Sequence, residues 1–147
     1  MGTTIKYTSI SMNILKKSNI PIILCEPPKR YMKNIIEDSD IHISFNKIFA
    51  EKIINIDKSQ RNSVAYDEAK HIFMESDTQL FISDFEMLFD PRFQIDVMKL
   101  FCEIARKRKL WVLWCGKFTD KFLTFATPED KDYHSYEIKK YDITCVQ

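Results

Sequence analysis

The fold class of this chain is decided by the stretch Leu80-Phe81-Ile82-Ser83-Asp84-Phe85-Glu86-Met87-Leu88-Phe89-Asp90-Pro91. It opens with a short apolar run and then presents two acids, Asp84 and Glu86. Short continuous apolar runs are typical of strands buried in a parallel sheet. Such sheets place their chemistry at the carboxyl ends of the strands. We therefore predict that Leu80–Ser83 is a central strand and that both acids follow its carboxyl end.

Similar apolar runs recur along the chain and alternate with helical patterns. The predicted strands cover residues 20–25, 41–45, 80–83, 110–115, 122–126 and 142–146. The predicted helices cover residues 9–17, a short segment from about 31, a segment capped by Asn46, residues 64–74, and a segment after Pro91 with Phe93, Val97, Leu100, Phe101 and Ile104 on one face. This alternation predicts a three-layer α/β fold with a mostly parallel sheet and right-handed crossovers. Residues 1–7, including Gly2, are expected to be loose.

Composition predicts one folded domain over residues 1–147. Hydrophobic residues make up 45% and charged residues 29%, which excludes wholesale disorder. The formal net charge is +1, so bulk electrostatics do not favour nucleic acid or membranes as partners. The sequence contains no signal-like segment or long apolar span, and we expect a cytoplasmic location. The four scattered cysteines are expected to be buried reduced thiols, and the three isolated histidines do not suggest a zinc site.

The loop after the first predicted strand lacks the residues that bind phosphate in P-loop proteins. A working P-loop uses glycines so that backbone N–H groups wrap the phosphates, with a Lys and a hydroxyl residue behind them. Residues 26–34 contain no glycine, no Ser and no Thr, and they begin with Glu26. Pro27 and Pro28 each remove a donor N–H. The remaining cations Lys29, Arg30 and Lys33 are weak candidates for binding an anion at a helix N-terminus, or else solvated turn charges.

Three further residues are candidate catalytic groups. Asp84 is placed to bind Mg²⁺ and Glu86 to polarise a water, as in ATPases. The alternative is an acidic turn in which Asp84 bonds to backbone, Lys29 or Lys33. Arg106, with Arg108, lies at the end of the predicted helix and is a candidate arginine finger acting in trans on a neighbour's nucleotide. The alternative for these arginines is favourable interaction with the helix dipole.

The second half of the chain resembles the BrxF family, small P-loop proteins of type 3 BREX phage-exclusion systems. The resemblance covers residues 78–140, and weakly 20–36. It consists of an acid-x-Glu-x-Leu-Phe element after a strand, an arginine pair at the end of the next helix, a strand ending in Trp-x-Gly, a Leu-Thr-x-Ala-x-Pro segment and a Tyr-rich tail. The matching residues are Asp84, Glu86, Leu88, Phe89, Asp90, Pro91, Asp96, Arg106, Arg108, Trp114, Gly116, Leu123, Thr124, Ala126, Pro128, Tyr133 and Tyr136.

The resemblance implies a P-loop NTPase-like fold and a role in antiviral defence. Because residues 26–33 depart from the family's Gly-x-x-Gly-x-Gly-Lys-Ser/Thr loop, we expect a pseudo-ATPase that serves as an accessory or assembly component beside other defence-system proteins. Its interaction face is expected over residues 114–141, and no cofactor is expected. One alternative is an ATPase that binds ATP and Mg²⁺ only as a homo-oligomer. The other is an accessory protein that binds nucleic acid through Lys29, Arg30, Lys33 and residues 106–109.

Overall fold

The computed structural model describes residues 1–9 and 19–147 of the chain. The strands are β1 (Thr3–Ile5), β2 (Ile22–Leu24), β3 (Ile41–Ser44), β4 (Leu80–Ser83), β5 (Leu110–Leu113), β6 (Lys117–Phe118), β7 (Phe122–Phe125), β8 (His134–Glu137) and β9 (Thr144–Val146). The helices are α1 (Lys29–Asp38), α2 (Phe45–Ile54), α3 (Arg61–Met74) and α4 (Val97–Ala105), with short 3-10 turns at Glu86–Phe89 and Ile138–Lys140. None of the helices in these described ranges is both long and apolar enough to span a bilayer.

Six strands form one sheet in the order β1-β9-β2-β5-β4-β3, and every neighbouring pair is parallel. The strand Leu80–Ser83 has the predicted bounds and is buried along its whole length, but it is second from the β3 edge rather than central. It lies between β5 and β3, with Ile82 opposite Val112 on one side and Ile43 on the other. The prediction of an α/β fold with a parallel sheet is therefore confirmed.

Helices cover both faces of this sheet, which gives three layers. On one face Ile35 of α1 packs with Ile22, Leu24, Phe81 and Trp111. On the opposite face α2, α3 and α4 bury the larger core, where the strand residues alternate with those of the first face. This alternation is the two-residue period of strand side chains. Continuous apolar strands are thus explained by burial on both sides.

A second, antiparallel sheet of three strands interrupts the crossover between β5 and β9. We predicted residues 122–126 as a strand, but not that it belongs to a separate β6-β7-β8 sheet. Leu123 and Tyr136, which face each other across β7 and β8, are buried against the core. Gly116 enters this sheet so closely that an added Cβ would lie 1.9 Å from the Thr124 carbonyl oxygen. A side chain is therefore excluded at position 116.

The expectation that residues 1–7 are loose is wrong. Thr3–Ile5 adds a parallel edge strand to β9, and Gly2 and Tyr7 are both buried. The signal was missed because β1 has only three residues, two of them exposed threonines. Short edge strands depend on their neighbour rather than on an apolar run of their own. The first residues of the chain are thus part of the sheet.

Two helix predictions need correction at their N-termini. Asn46 does not cap α2, because the helix begins one residue earlier and Ser44 occupies the capping position. Phe93 is buried outside α4, which begins at Val97 behind Asp96. The Asp96 carboxylate accepts a hydrogen bond from the Lys99 amide at 3.1 Å, and this cap fixes the helix start. The helix predicted over residues 9–17 lies outside the described residues, apart from position 9.

We predict that Gly2→Ala destabilises the protein by about 1–3 kcal/mol, the usual cost of forcing extra volume into a packed site. A Cβ at this position would lie 1.8 Å from the Ile138 carbonyl oxygen and 2.6 Å from that of Tyr141. Urea unfolding followed by circular dichroism measures the change. The exposed Lys6→Ala is the matched control and should stay within about 0.5 kcal/mol of the parent. Equal stability of both variants would show that the N-terminal strand is dispensable.

Candidate functional site

The candidate site lies at the carboxyl edge of the six-stranded sheet. Because the strands are parallel, the segments that follow β2, β5 and β4 meet at this edge. The loop that begins with Glu26 follows β2, Cys115 follows β5, and Asp84 follows β4. One strand, β5, separates the loop from the acid pair, a spacing of about 10 Å between β2 and β4. The loop and the acids therefore face one another across the end of β5.

Asp84 turns the chain sharply as it leaves β4. Its φ is +52°, in the left-handed region that few non-glycine residues adopt, although Asp tolerates it better than most. The Asp84 carbonyl oxygen accepts a hydrogen bond from the Asn46 amide at 2.7 Å. Its carboxylate accepts one from the Ser44 hydroxyl at 2.6 Å and a longer one from Ser83 at 3.5 Å. Asp84 is thus held to the end of β3 through both its main chain and its side chain.

Glu86 is held by the same neighbouring segment. The Asn46 side-chain amide donates to the Glu86 carboxylate, and its oxygen accepts from the Met87 amide at 3.0 Å. Glu86 is half-buried, whereas Asp84 is exposed. Asn46 therefore joins the first turn of α2 to the 3-10 turn after β4, a role that sequence reasoning missed. The only sequence signal was an Asn just after a strand, which also fits a helix cap.

Two other groups lie close to this acid pair. The His42 ring, on β3, lies 2.8 Å from the Ser83 hydroxyl through Nε2, one step from Asp84. Burial, together with the negative charges of Glu86 and Asp84, raises the pKa of the Cys115 thiol to about 12. A thiol with so high a pKa stays protonated at neutral pH and is a poor nucleophile. Cys115 is consequently a packing residue rather than a catalytic one.

The loop opposite the acids does not form a phosphate cradle. Glu26 adopts φ +45°, where a P-loop would use glycine, and Pro27 and Pro28 provide no N–H. Helix α1 begins directly after Pro28, whose carbonyl accepts the amides of Tyr31 and Met32 at 3.0 and 3.1 Å. Those two amides are therefore directed into the helix and are not available to a ligand.

The three cations of this loop do not pair with the acids. Lys33 lies 3.9 Å from Glu37 one turn along α1, and the Arg30 guanidinium stacks 4.9 Å from the Tyr31 ring. Lys29 is exposed and has no hydrogen bond or ion pair in the described ranges 1–9 and 19–147. The alternative in which Lys29 or Lys33 bonds to Asp84 is wrong, since Asp84 is held by the serines instead. Exposed charges of this kind contribute little to stability.

Arg106 lies near the amino ends of the strands, whereas Asp84 and Glu86 lie at their carboxyl ends. Helix α4 runs back from the carboxyl edge, and the Lys109 carbonyl that follows it accepts the amide of Leu80, the first residue of β4, at 3.0 Å. The length of β4, about 13 Å, thus separates this end from the acids. Arg106 cannot reach the acids of its own molecule. The two groups of cations proposed for nucleic-acid binding therefore lie at opposite ends of the strands: Lys29, Arg30 and Lys33 at the carboxyl ends, and residues 106–109 at the amino ends.

A groove of about 610 Å³ opens beside Glu86 and was not predicted from the sequence. Met87, Pro91 and Phe125 form its apolar part. At its rim Arg92 makes a bidentate contact with Asp90, with Nη2 2.6 Å from Oδ2, and this hydrogen bonding lowers the pKa of the Asp90 carboxyl. The groove is therefore mixed in character: Arg92 and Asp90 pair with each other, and Glu86, Lys131 and Asp132 also line it.

The expectation of an interaction face over residues 114–141 needs correction. Trp114 and Tyr136 are buried in the core, with exposed fractions of 6% and 5%. Phe125 stacks on Phe89 with ring centroids 4.3 Å apart. Phe122 and Tyr133 alone among the tail's aromatics are more than a third exposed. The aromatic tail therefore mainly completes the core beside the 3-10 turn.

Comparisons with known proteins give no match to the chain among family models, curated proteins or solved structures. Within residues 1–9 and 19–147, no cluster of three or more His, Cys, Asp or Glu side chains is arranged to hold a metal ion. Asp84 is the one predicted metal ligand, and its nearest oxygen neighbours are serine hydroxyls. The site thus consists of two acids, Asp84 hydrogen-bonded to Ser44 and Glu86 to Asn46, that face a loop without glycine.

We predict that Asn46→Ala destabilises the protein by about 1–2 kcal/mol, because it removes a hydrogen bond to a carboxylate and one to a main-chain amide. Thermal and urea unfolding measure this change. Asn34→Ala, in an exposed position of α1, is the control and should be neutral or slightly stabilising. If Asn46→Ala were equally neutral, the bridge between α2 and Glu86 would have no energetic role.

The half-buried Lys109 predicts a pH effect on stability. Burial lowers its pKa to about 8, against about 10.4 in the unfolded chain. Between these values the unfolded chain binds more protons, so this group makes the free energy of unfolding rise with pH. The free energy of unfolding of the parent, minus that of Lys109→Met, should therefore rise by about 1 kcal/mol from pH 7.5 to 10.5, after allowance for solvent screening. Parallel curves would contradict this. Lys107→Met, at an exposed position, is the matched control.

Proposed function

We propose that this chain is a non-catalytic assembly component with a P-loop-type fold, acting beside other proteins of a BREX-like phage-defence system. The observation that carries the proposal is the loop after β2, which lacks glycine, begins with Glu26 at φ +45° and contains Pro27 and Pro28. An acid at that point repels a phosphate rather than cradling it. The defence setting comes from the sequence resemblance of residues 78–140.

The order of the strands supports the P-loop-type fold. One strand between the loop-bearing β2 and the acid-bearing β4 is the arrangement expected of the fold that the resemblance implies. The two segments then lie on either side of a ligand placed over the end of β5, where such sheets bind their ligands. The fold alone does not specify an activity. For that reason the proposal depends on the state of the loop and of the acids.

The bonding of the acids gives them a role that does not depend on hydrolysis. Asp84 is engaged by Ser44, and Glu86 by Asn46, so each carboxylate serves to join β4 to the segment that follows β3. In this chain the same groups have a structural use. Retention of the acids is therefore compatible with loss of the reaction.

We predict that isothermal titration with ATP and Mg²⁺ shows no saturable binding below millimolar concentration, and that phosphate release stays at background. Asp84→Asn, which keeps the shape of the side chain, should behave as the parent in both assays. Micromolar binding together with turnover that Asp84→Asn abolishes would contradict the proposal. A genomic neighbourhood with a DNA methyltransferase and a large ATPase would support the defence setting, and one without them would count against it.

A second candidate is an ATPase that works only between copies. It is favoured by the separation of charge: Asp84 and Glu86 lie at one edge of the sheet and residues 106–109 at the other. Head-to-tail contact of two copies would bring Arg106 of one toward the acids of the next, as in heterologous assemblies. Nucleotide-dependent oligomers in sedimentation velocity, lost in Arg106→Ala, would support this candidate. An unchanged monomer with and without nucleotide would remove it.

A further inference from the structure

Strand β3 forms the outer edge of the six-stranded sheet beside β4. Within the described ranges of the chain, no segment pairs with its other side. The Ile41 amide donates to the Gln79 carbonyl at 3.2 Å, so the main chains of Ile41 and Ile43 face β4. In a parallel ladder the intervening residues point the other way. His42 and Ser44, both exposed, therefore direct their backbone N–H groups away from the sheet.

An apolar groove of about 390 Å³ runs beside this edge. Ile41 and Ile43 form its strand side, and Ile48 of α2 and Ile72 of α3 form its helical side. Ile48 is 38% exposed, which is high for a large apolar side chain beside a core. A peptide strand laid along β3 would place every second side chain over this groove. Backbone pairing with pockets for alternate side chains is a recurring mode of peptide recognition.

The surroundings of the edge are acidic. Asp38 and Asp40 precede β3, and Asp77 lies in the exposed loop before β4. Beyond the other end of the strand lie Asp84 and Glu86, which bond to Ser44 and Asn46. Of the cations nearby, Lys52 is paired with Glu75 of the groove at 3.2 Å, Arg108 donates to the Phe73 carbonyl at 3.0 Å, and Lys47 is exposed in the first turn of α2. The acids outnumber these cations. An incoming segment thus meets negative charge at both ends of the strand.

We propose that the β3 edge binds an extended cationic segment of a partner protein, with apolar residues at alternate positions. The outward backbone groups of His42 and Ser44 pair with the segment, the groove receives its apolar side chains, and the acids attract its lysines or arginines. This names the chemistry of the partner for the assembly role proposed above and takes its biological setting from that role. The inference that such a segment binds follows from the outward backbone groups of β3, the apolar groove beside it and the acids around it.

A second copy of the chain is a poorer occupant. Antiparallel pairing of two β3 strands would bring Asp40 of one copy toward Asp84 of the other, at both ends of the pair. Like charges opposed across strands are destabilising. A cationic segment meets no such repulsion. The charge around the edge therefore discriminates between the two occupants.

The probe is a capped peptide of alternating lysine and valine, titrated against the full chain by fluorescence anisotropy. The same peptide with glutamate in place of lysine is the charge control. His42→Pro removes the outward N–H and leaves the main-chain bonds to β4 in place, since proline is tolerated at an exposed strand edge. It also removes the side-chain bond from His42 to Ser83. His42→Val keeps that N–H and loses the same imidazole. We expect the lysine peptide to bind His42→Val within about twofold of the parent and His42→Pro at least tenfold more weakly, the loss expected of a main-chain bond.

Charge reversal gives a second readout that does not depend on proline. Asp77→Lys, beside the edge, should weaken the lysine peptide several-fold, and Asp120→Lys should not, because Asp120 lies near β1 at the other edge of the sheet. Binding should also weaken as salt rises. Equal affinity for lysine and glutamate peptides, equal binding by both His42 variants, or no saturable binding up to millimolar peptide would overturn the inference.

Two further outcomes distinguish peptide binding at β3 from self-association and from the proposed loss of catalysis. A dimer of the free chain that His42→Pro dissociates would show that a second copy occupies the edge, and would overturn the cationic partner. ATP turnover abolished by Asp84→Asn would contradict the proposed loss of catalysis and leave peptide binding at β3 as measured. Failure of one proposal is therefore distinguishable from failure of the other.

Discussion

The turn at Asp84 is the constraint on which the rest of the molecule depends. Because this residue adopts φ +52°, Phe85 turns into the core with no exposed surface, and the Asp84 carboxylate turns toward Ser44. Phe85 then contacts the rings of Phe89, Phe101 and Trp114, which come from the 3-10 turn, α4 and the segment after β5. One backbone bend thus joins the end of β4 to the aromatic core on one side and to β3 on the other.

This arrangement gives the acid pair a structural use that does not require a nucleotide. A left-handed residue costs about 1–2 kcal/mol when it is not glycine. Hydrogen bonds to Asp84 and Glu86 from the segment that follows β3 offset that cost. The acids therefore contribute to stability whether or not the loop after β2 binds a phosphate. An ATPase-like pair of acids after a strand is, for this reason, better evidence of fold than of reaction.

Sequence reasoning found the features that depend on burial and missed those that depend on contacts between distant segments. The apolar runs at 22–24, 80–83 and 110–113 were sufficient to predict parallel strands, because both faces of each run are covered. Strand β1 was missed because it contributes little apolar surface and is specified by β9. The bridge made by Asn46 was missed because its partners lie about forty residues away in the chain. The burial of Trp114 agrees with the buried strand predicted over residues 110–115, whereas that of Tyr136 was missed because the separate antiparallel sheet was not foreseen.

The distribution of open surfaces indicates where an assembly protein of this fold would make contact. At the carboxyl edge, the acids already accept hydrogen bonds from Ser44 and Asn46, and Arg92 pairs with Asp90 in the neighbouring groove, so a partner there would compete with existing bonds. At the lateral edge, β3 presents backbone groups that pair with nothing in the described ranges, next to apolar surface. Forming new bonds costs less where none must first be broken, because only the desolvation of the exposed groups opposes them. In a domain whose loop after β2 has no glycine, Ser or Thr, the β3 edge is therefore a better place for a partner than the carboxyl ends of the strands.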